Sequence, residues 1–407
     1  MLTDRGRWVL ALGGLTYLAA WGFGSRPLYP IAVGLVAAVA GAAVWVRLLR
    51  KPMHLRRRLG RREHVDGDDV PVELELAVEG SLPVPSLVLV ERIARLGERE
   101  TALRRRQGRL RGTYVLERVP RGRYPIESAQ VVVEDPFALE RLEVPLPAVE
   151  SVLVYPRLVE LDRLFSESGR LLSEGRRLLL RRPSGFDLHS VREYEQGESL
   201  RRVHWPSTAR RGQLMVKELE DSPRDETAVL LDADASSVVG EPPDSTFEVQ
   251  VRAAGSILQA YARRGRRAAL IVNSARTDYQ PVHSFDGDWL RALELLAAVQ
   301  PDGLTPVAAL LGQEAGPAAR ALELTVVTSS LSPRLVERLL QRMIARRVAT
   351  LVFVDPASFA SSPGPTGVPT AAQLLRLGRA GVPIAVLRRG DDLAAKLGLH
   401  MTGAQAG

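Results

Sequence analysis

Two long stretches near the start of the chain carry no charged side chain, and they cover residues 8–24 and 28–46. As helices with a 1.5 Å rise per residue they would extend about 25 and 28 Å, close to the ~30 Å hydrocarbon core of a bilayer. Only Ser25-Arg26-Pro27 separates them. The pattern predicts a transmembrane helical hairpin within residues 1–50. A cleaved signal peptide followed by one membrane anchor is the alternative.

A strongly basic segment follows the predicted hairpin. Eight arginine and lysine residues, and no acidic residue, lie between Arg47 and Arg62. Under the positive-inside rule this cluster places both termini in the cytoplasm and makes the chain a multi-pass protein of the cell (inner or plasma) membrane. We interpret residues 51–64 as a basic juxtamembrane segment. Membrane lipid is its expected partner, because anionic headgroups attract such clusters.

A regular alternation of apolar and polar residues begins at Val70 and continues to Val78, which predicts a half-buried strand. Short strands separated by turn signals, with no clear helix, predict a small β-sandwich over residues 65–157. Residues 158–224 are arginine-rich and lack a clear period, and we interpret them as a linker with short helices. The further strand-like runs are punctuated by Gly and Pro and lie at residues 87–90, 113–116, 130–133 and 152–155.

From Thr227 onward, buried strand-like runs alternate with helical patterns, which predicts a doubly wound α/β domain over residues 225–395 and a flexible tail at 396–407. Ligands of such sheets bind beyond the carboxyl ends of the strands, which here are followed by residues 232–237, 328–331 and 355–356. The predicted strands are Thr227–Leu231, Ala268–Val272, Leu322–Thr328, Thr350–Val354 and Ile384–Leu387, and the predicted helices are Thr246–Arg263, Trp289–Ala298, Pro333–Arg346 and Ala371–Arg379.

Composition narrows the function classes. The chain has no cysteine and six scattered histidines, so it offers neither a thiol nucleophile nor a zinc site of ordinary spacing. It contains no GxxxxGK[ST] phosphate loop, which excludes a Walker-type ATPase, and no HExxH or GxSxG motif in a matching setting. Residues 99–123 are rich in arginine and poor in aromatic residues, so base stacking is not expected there and no nucleic-acid partner is expected.

The first candidate site is the segment 232–237, Asp-Ala-Asp-Ala-Ser-Ser, which directly follows a predicted strand. It resembles the metal-ion-dependent adhesion site of von Willebrand factor type A domains, in which Asp-x-Ser-x-Ser holds a metal. Asp232 and Ser236 match that motif, and Asp234 replaces its first serine. The resemblance implies Mg²⁺ bound by Asp232, Asp234, Ser236 and the distal Thr305, with Ser329 standing where the last aspartate belongs. The alternative is that Asp232 caps the following turn or helix.

The second candidate site is the densest stretch of the chain, residues 190–218. It closely resembles the signature of bacterial domain-of-unknown-function family fifty-eight, which also has the passages Asp135-Pro136-Phe137 and Val154–Arg157. That resemblance implies a MoxR-type AAA+ ATPase or a transglutaminase-like membrane protein as partner, with no assigned activity. The signature residues are Arg192, Tyr194, Gly197, Glu198, Arg201, His204, Trp205, Thr208, Arg210 and Lys217.

Three interpretations of this signature remain open. In the architectural one, Trp205 anchors the segment on the α/β core and the arginines pair with nearby glutamates. In the second, the arginines bind an anion or a partner. In the third, His204 is a general base beside Glu198 or Thr208, so that the protein is a hydrolase or transferase. Our leading hypothesis is a non-enzymatic, cytoplasmic-facing membrane adaptor, and an anionic-polymer binder is a weaker rival.

Overall fold

The chain divides into two compact units, Met1–Tyr155 and Pro156–Gly407, close to the predicted end of the β region at residue 157. The computed structural model describes residues 1–60, 63–79, 87–106, 109–147, 150–167, 187–193, 203, 205–220, 227–313, 316–360 and 368–398.

Two helices open the first unit, α1 at Asp4–Gly22 and α2 at Leu28–Leu48. The Thr3 side chain caps α1 by accepting a hydrogen bond from the Gly6 N–H at 3.0 Å. The helices pack closely at Gly13, where an added Cβ would lie 3.2 Å from the Val36 side chain. A small residue is therefore needed at this contact.

Only one described helix, Leu28–Leu48, is long and apolar enough to cross a membrane. The first turn of α1 instead carries charge at Asp4, Arg5 and Arg7. A single N-terminal helix of this length and composition indicates membrane association. The transmembrane hairpin remains a prediction.

The rest of the first unit is a β region built around one hydrophobic core. The alternation beginning at Val70 is confirmed, since Val70, Val72, Leu74 and Leu76 are all buried in that core. The strands pair in the order β1-β3-β6-β5-β4-β7-β9-β2, and β8 pairs with β7. The described strands are β1 Met53–Leu59, β2 His64–Val65, β3 Val70–Val78, β4 Leu87–Ile93, β5 Gly97–Arg106, β6 Arg109–Leu116, β7 Gly122–Glu134, β8 Arg141–Leu146 and β9 Ser151–Tyr155.

The segment 51–64, which we interpreted as a basic juxtamembrane region, contains strand β1 instead of a free basic stretch. This strand pairs antiparallel with β3, with Arg57 opposite Leu74. Met53 is buried in the core, while Arg56 and Arg58 are exposed. The β region therefore begins before residue 65. The alternation was hidden because basic residues occupy both faces of the strand.

A buried ion pair crosses the core of the β region. Glu91 of β4 is 1% exposed, and Arg57 Nε donates to its Oε1 at 2.6 Å. The Tyr114 hydroxyl of β6 donates to Glu91 Oε2 at 2.9 Å. Burial and the adjacent carboxylate raise the pKa of Tyr114 well above its ordinary value, so this residue remains a hydrogen-bond donor. The network connects three strands that are distant in sequence.

Tyr114→Phe is expected to destabilise the first unit by about 1.5–3 kcal/mol, because it removes a hydrogen bond to a buried charged group. Glu91→Gln is expected to cost about 3–5 kcal/mol, because it removes the buried charge beside Arg57 and leaves that guanidinium only the more exposed Glu150, at 3.3 Å. Hydrogen–deuterium exchange of β4 and β6 peptides in the detergent-solubilised full-length protein measures both losses. Val115→Ala, on an exposed position of β6, is the control and should change exchange little. Wild-type exchange in Tyr114→Phe would contradict the prediction.

The second unit contains a six-stranded α/β sheet and a separate antiparallel pair. The pair is β10 (Asp187–Glu193) with β11 (Met215–Glu220), and it lies in the region that we predicted to be a linker. The sheet has the order β14-β13-β12-β15-β16-β17 and is parallel except for the edge strand β14. Its strands are β12 Thr227–Leu231, β13 Ala268–Val272, β14 Asp278–Val282, β15 Glu323–Thr328, β16 Val348–Val354 and β17 Ile384–Leu387.

Helices cover both faces of this sheet, as predicted. Along β12, Val229 and Leu231 belong to one hydrophobic cluster, whereas Ala228 and Leu230 belong to the other. The sheet is therefore doubly wound, with a core on each side. The described helices of the unit are α3 Trp205–Arg211, α4 Thr246–Arg263, α5 Gly287–Ala298, α6 Val307–Leu310, α7 Pro317–Arg320, α8 Pro333–Ile344, α9 Val368–Arg379 and α10 Leu393–Leu397.

Candidate functional site

The candidate site lies at the carboxyl ends of β12 and β15, where the strand order reverses direction. From β12 the chain proceeds to β13 on one side and, later, to β15 on the other. In open α/β sheets this switch point is where ligands bind. Asp232 follows β12 directly, and Thr328 is the last residue of β15.

Asp232 is a buried hydrogen-bond acceptor that joins these strand ends. Its side chain accepts from the Asp234 N–H at 3.1 Å and from Asn273 Nδ2 at 3.0 Å, both at Oδ1. The Thr328 hydroxyl donates to Oδ2 at 2.5 Å. Burial raises the pKa of Asp232, and these three hydrogen bonds oppose that shift. With the residue only 3% exposed, the carboxyl is bound almost entirely by protein donors.

Asn273 connects the site to a second loop and was missed in the sequence analysis. It directly follows β13 and is fully buried. Its Oδ1 accepts from the Ala233 N–H, and its Nδ2 donates to Asp232 and, at 2.9 Å, to the Thr305 carbonyl oxygen. A polar residue at the end of the strand beside β12 was the available signal, since carboxyl ends of neighbouring parallel strands lie together.

The loop at residues 303–305 is fixed against the end of β12. Gly303 N–H donates to the Ala233 carbonyl at 2.8 Å, and Asp234 and Gly303 form an isolated parallel bridge. A Cβ at Gly303 would collide with the Asn273 carbonyl oxygen, so no other residue fits there. The next residue, Leu304, is 87% exposed. The structure therefore holds a large apolar side chain in solvent beside Asp234.

The side chain of Asp234 bonds to Ser236. The Ser236 N–H and hydroxyl both donate to Asp234 Oδ1, at 2.9 and 2.7 Å. Asp234 thereby caps a short 3-10 turn at Ala235–Ser237. The capping role that we considered for Asp232 thus belongs to Asp234, two residues further along the chain.

Ser329, at the position of the missing third acid, is also engaged by protein. Its hydroxyl donates to the Ser237 carbonyl at 2.8 Å. The buried Gln250 side chain of α4 lies 3.0 Å from the same hydroxyl. With the amide oxygen facing Ser329, the single hydroxyl hydrogen lies between the Ser237 carbonyl and that oxygen, and the Gln250 nitrogen donates to the Asp232 carbonyl at 3.1 Å. A second polar layer thus supports the loop that follows Asp232.

These residues fit a Mg²⁺ centre poorly. Among the residues that the structure describes, no group of three or more His, Asp and Glu side chains could hold a metal ion. Asp232 already accepts three hydrogen bonds, and the Asp234 carboxylate accepts two from Ser236. Hard cations need several oxygen ligands free to converge on one point. Mg²⁺ therefore enters no step of the function proposed below.

Of the signature residues that the structure describes, Arg192, Thr208 and Lys217 lie on elements that contact one another. Arg192 and Lys217 lie on the paired strands β10 and β11, where Arg192 is opposite Val216. The Thr208 hydroxyl accepts from the Met215 N–H at 3.0 Å, which joins α3 to β11. The other signature positions Tyr194, Gly197, Glu198, Arg201 and His204 lie outside the described residues.

One part of the architectural interpretation is wrong. Trp205, expected to anchor the segment on the α/β core, is 66% exposed at the start of α3. Arg210 is exposed on the same helix. A helix of seven residues has only two turns, and in α3 none of the described side chains is buried. The Thr208 hydroxyl, and not a buried aromatic ring, makes the described contact between this helix and β11.

Comparisons with known proteins agree with the family resemblance. A family model described as "Protein of unknown function DUF58" matches residues 190–360, a range that contains the signature and much of the α/β domain. Residues 190–360 therefore match a family defined by sequence and not by a known activity, and the resemblance to family fifty-eight is confirmed over that range. Likeness to von Willebrand type A domains remains a prediction.

Individual relatives add no activity. The chain is 26% identical over 221 residues to "Uncharacterized protein YeaD" of Bacillus subtilis (strain 168). The matched residues make up 54% of this chain and 54% of that protein. The chain thus spans about half the length of this curated relative. Among solved structures, Cwp6 from Clostridium difficile matches 83% of this chain and 37% of its own at 8% identity and a TM-score of 0.20. That score carries no argument about the fold.

Asp232→Asn is expected to gain stability relative to the wild type as pH rises. The native state holds the Asp232 proton more tightly than the unfolded chain, so ionisation costs native stability above the unfolded pKa. Asparagine keeps the Oδ1 acceptor, and its Nδ2 can donate to Thr328, whose hydroxyl then donates to the Ser330 carbonyl at 3.0 Å. Melting temperatures between about pH 4 and about pH 8 measure the difference.

Asp232→Ala is the control for this titration. It removes the acceptor for three donors and should be destabilised at every pH, by about 1–3 kcal/mol for each donor left buried without a partner. A pH-independent difference between Asp232→Asn and wild type, or one that shrinks as pH rises, would contradict the prediction.

Mg²⁺ and Mn²⁺ at millimolar concentration are expected to leave the melting temperature of the wild type within about 1 °C, because the Asp232 ligand positions are already occupied by protein donors. The titration is run beside Asp232→Ala. A rise that appears in the wild type and is absent from the variant would instead establish a metal site, since a ligand of the native state stabilises it by mass action.

Proposed function

We propose that the protein is a membrane-anchored adaptor whose α/β domain binds a protein partner through the surface around Leu304. The observation that carries this proposal is the 87% exposure of Leu304 in a loop fixed by Asn273 and Gly303. An exposed apolar side chain on a rigid support fits the centre of a protein interface. Asp234, Ser236 and Thr305 supply a polar rim around it.

Membrane anchoring is supported by the surface of the two N-terminal helices. Helix α2 is long and apolar enough to span a bilayer, and both helices expose large apolar residues. In this proposal α1 and α2 cross the membrane as a hairpin, with both termini in the cytoplasm. The exposed aromatic and aliphatic side chains on this pair include Trp8, Leu15, Leu18, Trp21, Ile31, Val33 and Val44.

The partner that the family resemblance implies is a MoxR-type AAA+ ATPase, and a transglutaminase-like membrane protein is the second possibility of the same kind. The type A-like α/β domain would present the strand-end surface to either.

Anionic lipid is proposed to contact basic side chains near the end of α2. No arrangement of described residues favours a hydrolase or transferase, because the residues that it would need, His204 and Glu198, lie outside the described part of the chain.

Leu304→Asp is expected to weaken capture of the cognate AAA+ ATPase at least tenfold, since hot-spot residues contribute about 2 kcal/mol or more to binding. The measurement is co-purification of the epitope-tagged full-length protein from membranes of its own cells, with the ATPase quantified by mass spectrometry. Because Leu304 is exposed, the change should leave the melting temperature nearly unaltered.

Ile344→Asp is the matched control. Ile344 is also highly exposed, but it ends α8, which returns the chain from the carboxyl ends of the strands toward their amino ends. It should therefore leave capture unchanged. Equal loss in both variants, or undiminished capture by Leu304→Asp, would defeat the assignment of this surface. Absence of the ATPase from every sample, the wild type included, would defeat the proposed partner.

A further inference from the structure

The loop at residues 135–140 joins β7 to β8 and is tightly built around one carboxylate. Asp135 is buried, and its side chain accepts from the backbone N–H groups of Phe137 at 2.9 Å, Leu139 at 2.7 Å and Glu140 at 2.6 Å. Ala138 adopts a positive φ of 54° within the turn. Three convergent hydrogen bonds to one ionisable group fix the backbone of the loop.

This rigid loop exposes an aromatic side chain. Phe137 is 75% exposed, although its own backbone N–H donates to the buried Asp135 carboxylate. Leaving a phenyl ring in water forgoes roughly 1.5–3 kcal/mol of burial free energy. A fixed backbone that presents such a ring is a feature of contact sites and not of a loop free to collapse.

The same loop is attached to the start of helix α1. The Thr3 N–H donates to the Leu139 carbonyl at 3.0 Å, and its hydroxyl donates to the Ala138 carbonyl at 2.6 Å. The amino terminus forms an ion pair with Glu140 at 3.2 Å. At Gly6 any Cβ would collide with the Leu139 carbonyl oxygen, so the helix and the loop touch directly.

The contact occurs at the charged end of the helix pair. Leu139 packs with Val39 and Ala42 of α2 and with Val9 of α1 in a small apolar cluster. Beyond this level α1 continues from Trp8 to Gly22 with no charged residue, a length of about 22 Å. The charged first turn of α1 therefore marks where the hydrocarbon region would end.

These positions determine the depth of Phe137. It lies two residues from Leu139 in the chain, and hence within about 7 Å of the level at which α1 becomes charged. Aromatic side chains are enriched at the boundary between headgroups and acyl chains. We propose that Phe137 inserts into this boundary, so that the 135–140 loop is a third membrane contact besides α1 and α2. The inference rests on the proposed membrane anchoring.

The absence of cysteine from the chain makes a direct test simple, since any introduced thiol is unique. Single variants Phe137→Cys, Val33→Cys and Val115→Cys of the full-length protein are labelled with an environment-sensitive NBD dye. They are reconstituted in vesicles of phosphatidylcholine and phosphatidylglycerol. All three positions are exposed, so labelling should not disturb folding. Nitroxide lipids labelled in the headgroup or deep in the acyl chain report depth by quenching.

Position 137 is expected to fluoresce about twofold more strongly than position 115, because the boundary region is less polar than water. Its quenching should be strongest with headgroup nitroxides. Position 33, on α2, should be quenched most by deep nitroxides, and position 115, on the outer face of β6, by neither.

Each other outcome overturns a defined part of the inference. If position 33 is deeply quenched while position 137 behaves like position 115, anchoring stands and the loop contact is wrong. If position 137 is quenched as deeply as position 33, the loop lies in the hydrocarbon and the boundary assignment is wrong. If none of the three is quenched, the membrane anchoring fails, and the loop contact fails with it.

Discussion

A buried carboxylate, Asp232, joins three strand ends that come from separate parts of the α/β unit. It receives the Asn273 amide from beyond β13, the Thr328 hydroxyl from β15 and the Asp234 N–H from its own loop. A buried acceptor of this strength must be fully hydrogen-bonded, because each donor left without it would carry a desolvation cost. The geometry of the loops at the switch point follows from satisfying this one group.

The exposed surface around Leu304 depends on the buried hydrogen bonds of Asp232 and Asn273. Asn273 donates to Asp232 and to the Thr305 carbonyl with the same amide nitrogen, and Gly303 packs against the backbone of Asn273. The position of Leu304 in solvent is therefore determined by contacts that Leu304 does not itself make. Buried polar groups hold the 303–305 loop in place, and the apolar side chain of Leu304 on that loop is available to a partner. This is the arrangement expected of a binding site on a rigid scaffold.

Strands that are buried along their whole length can be predicted from the sequence. Elements and residues whose place depends on contacts with distant parts of the chain cannot. Thr227–Leu231 and Ala268–Val272 were predicted with their observed bounds, because buried parallel strands are uninterrupted apolar runs. Strand β1 was missed because a run of arginines obscures its alternation. Asn273 acquires its role through Thr305 and Asp232, which lie 32 and 41 residues away in the chain, and Leu304 is presented by the loop that Asn273 holds. Trp205 was predicted to be buried because it is a large aromatic residue, but it lies exposed at the start of α3.

Strand β7 gives the first unit a fixed length. At one end Gly122 pairs with Val154 of β9, and at the other Glu134 pairs with Arg141 just beyond the 135–140 loop. A strand of 13 residues extends up to about 40 Å. The chain leaves the unit at Tyr155, next to the Gly122 end. If the loop rests on a bilayer, the length of β7 is an upper limit on the distance between the lipid surface and the Gly122 end of the strand.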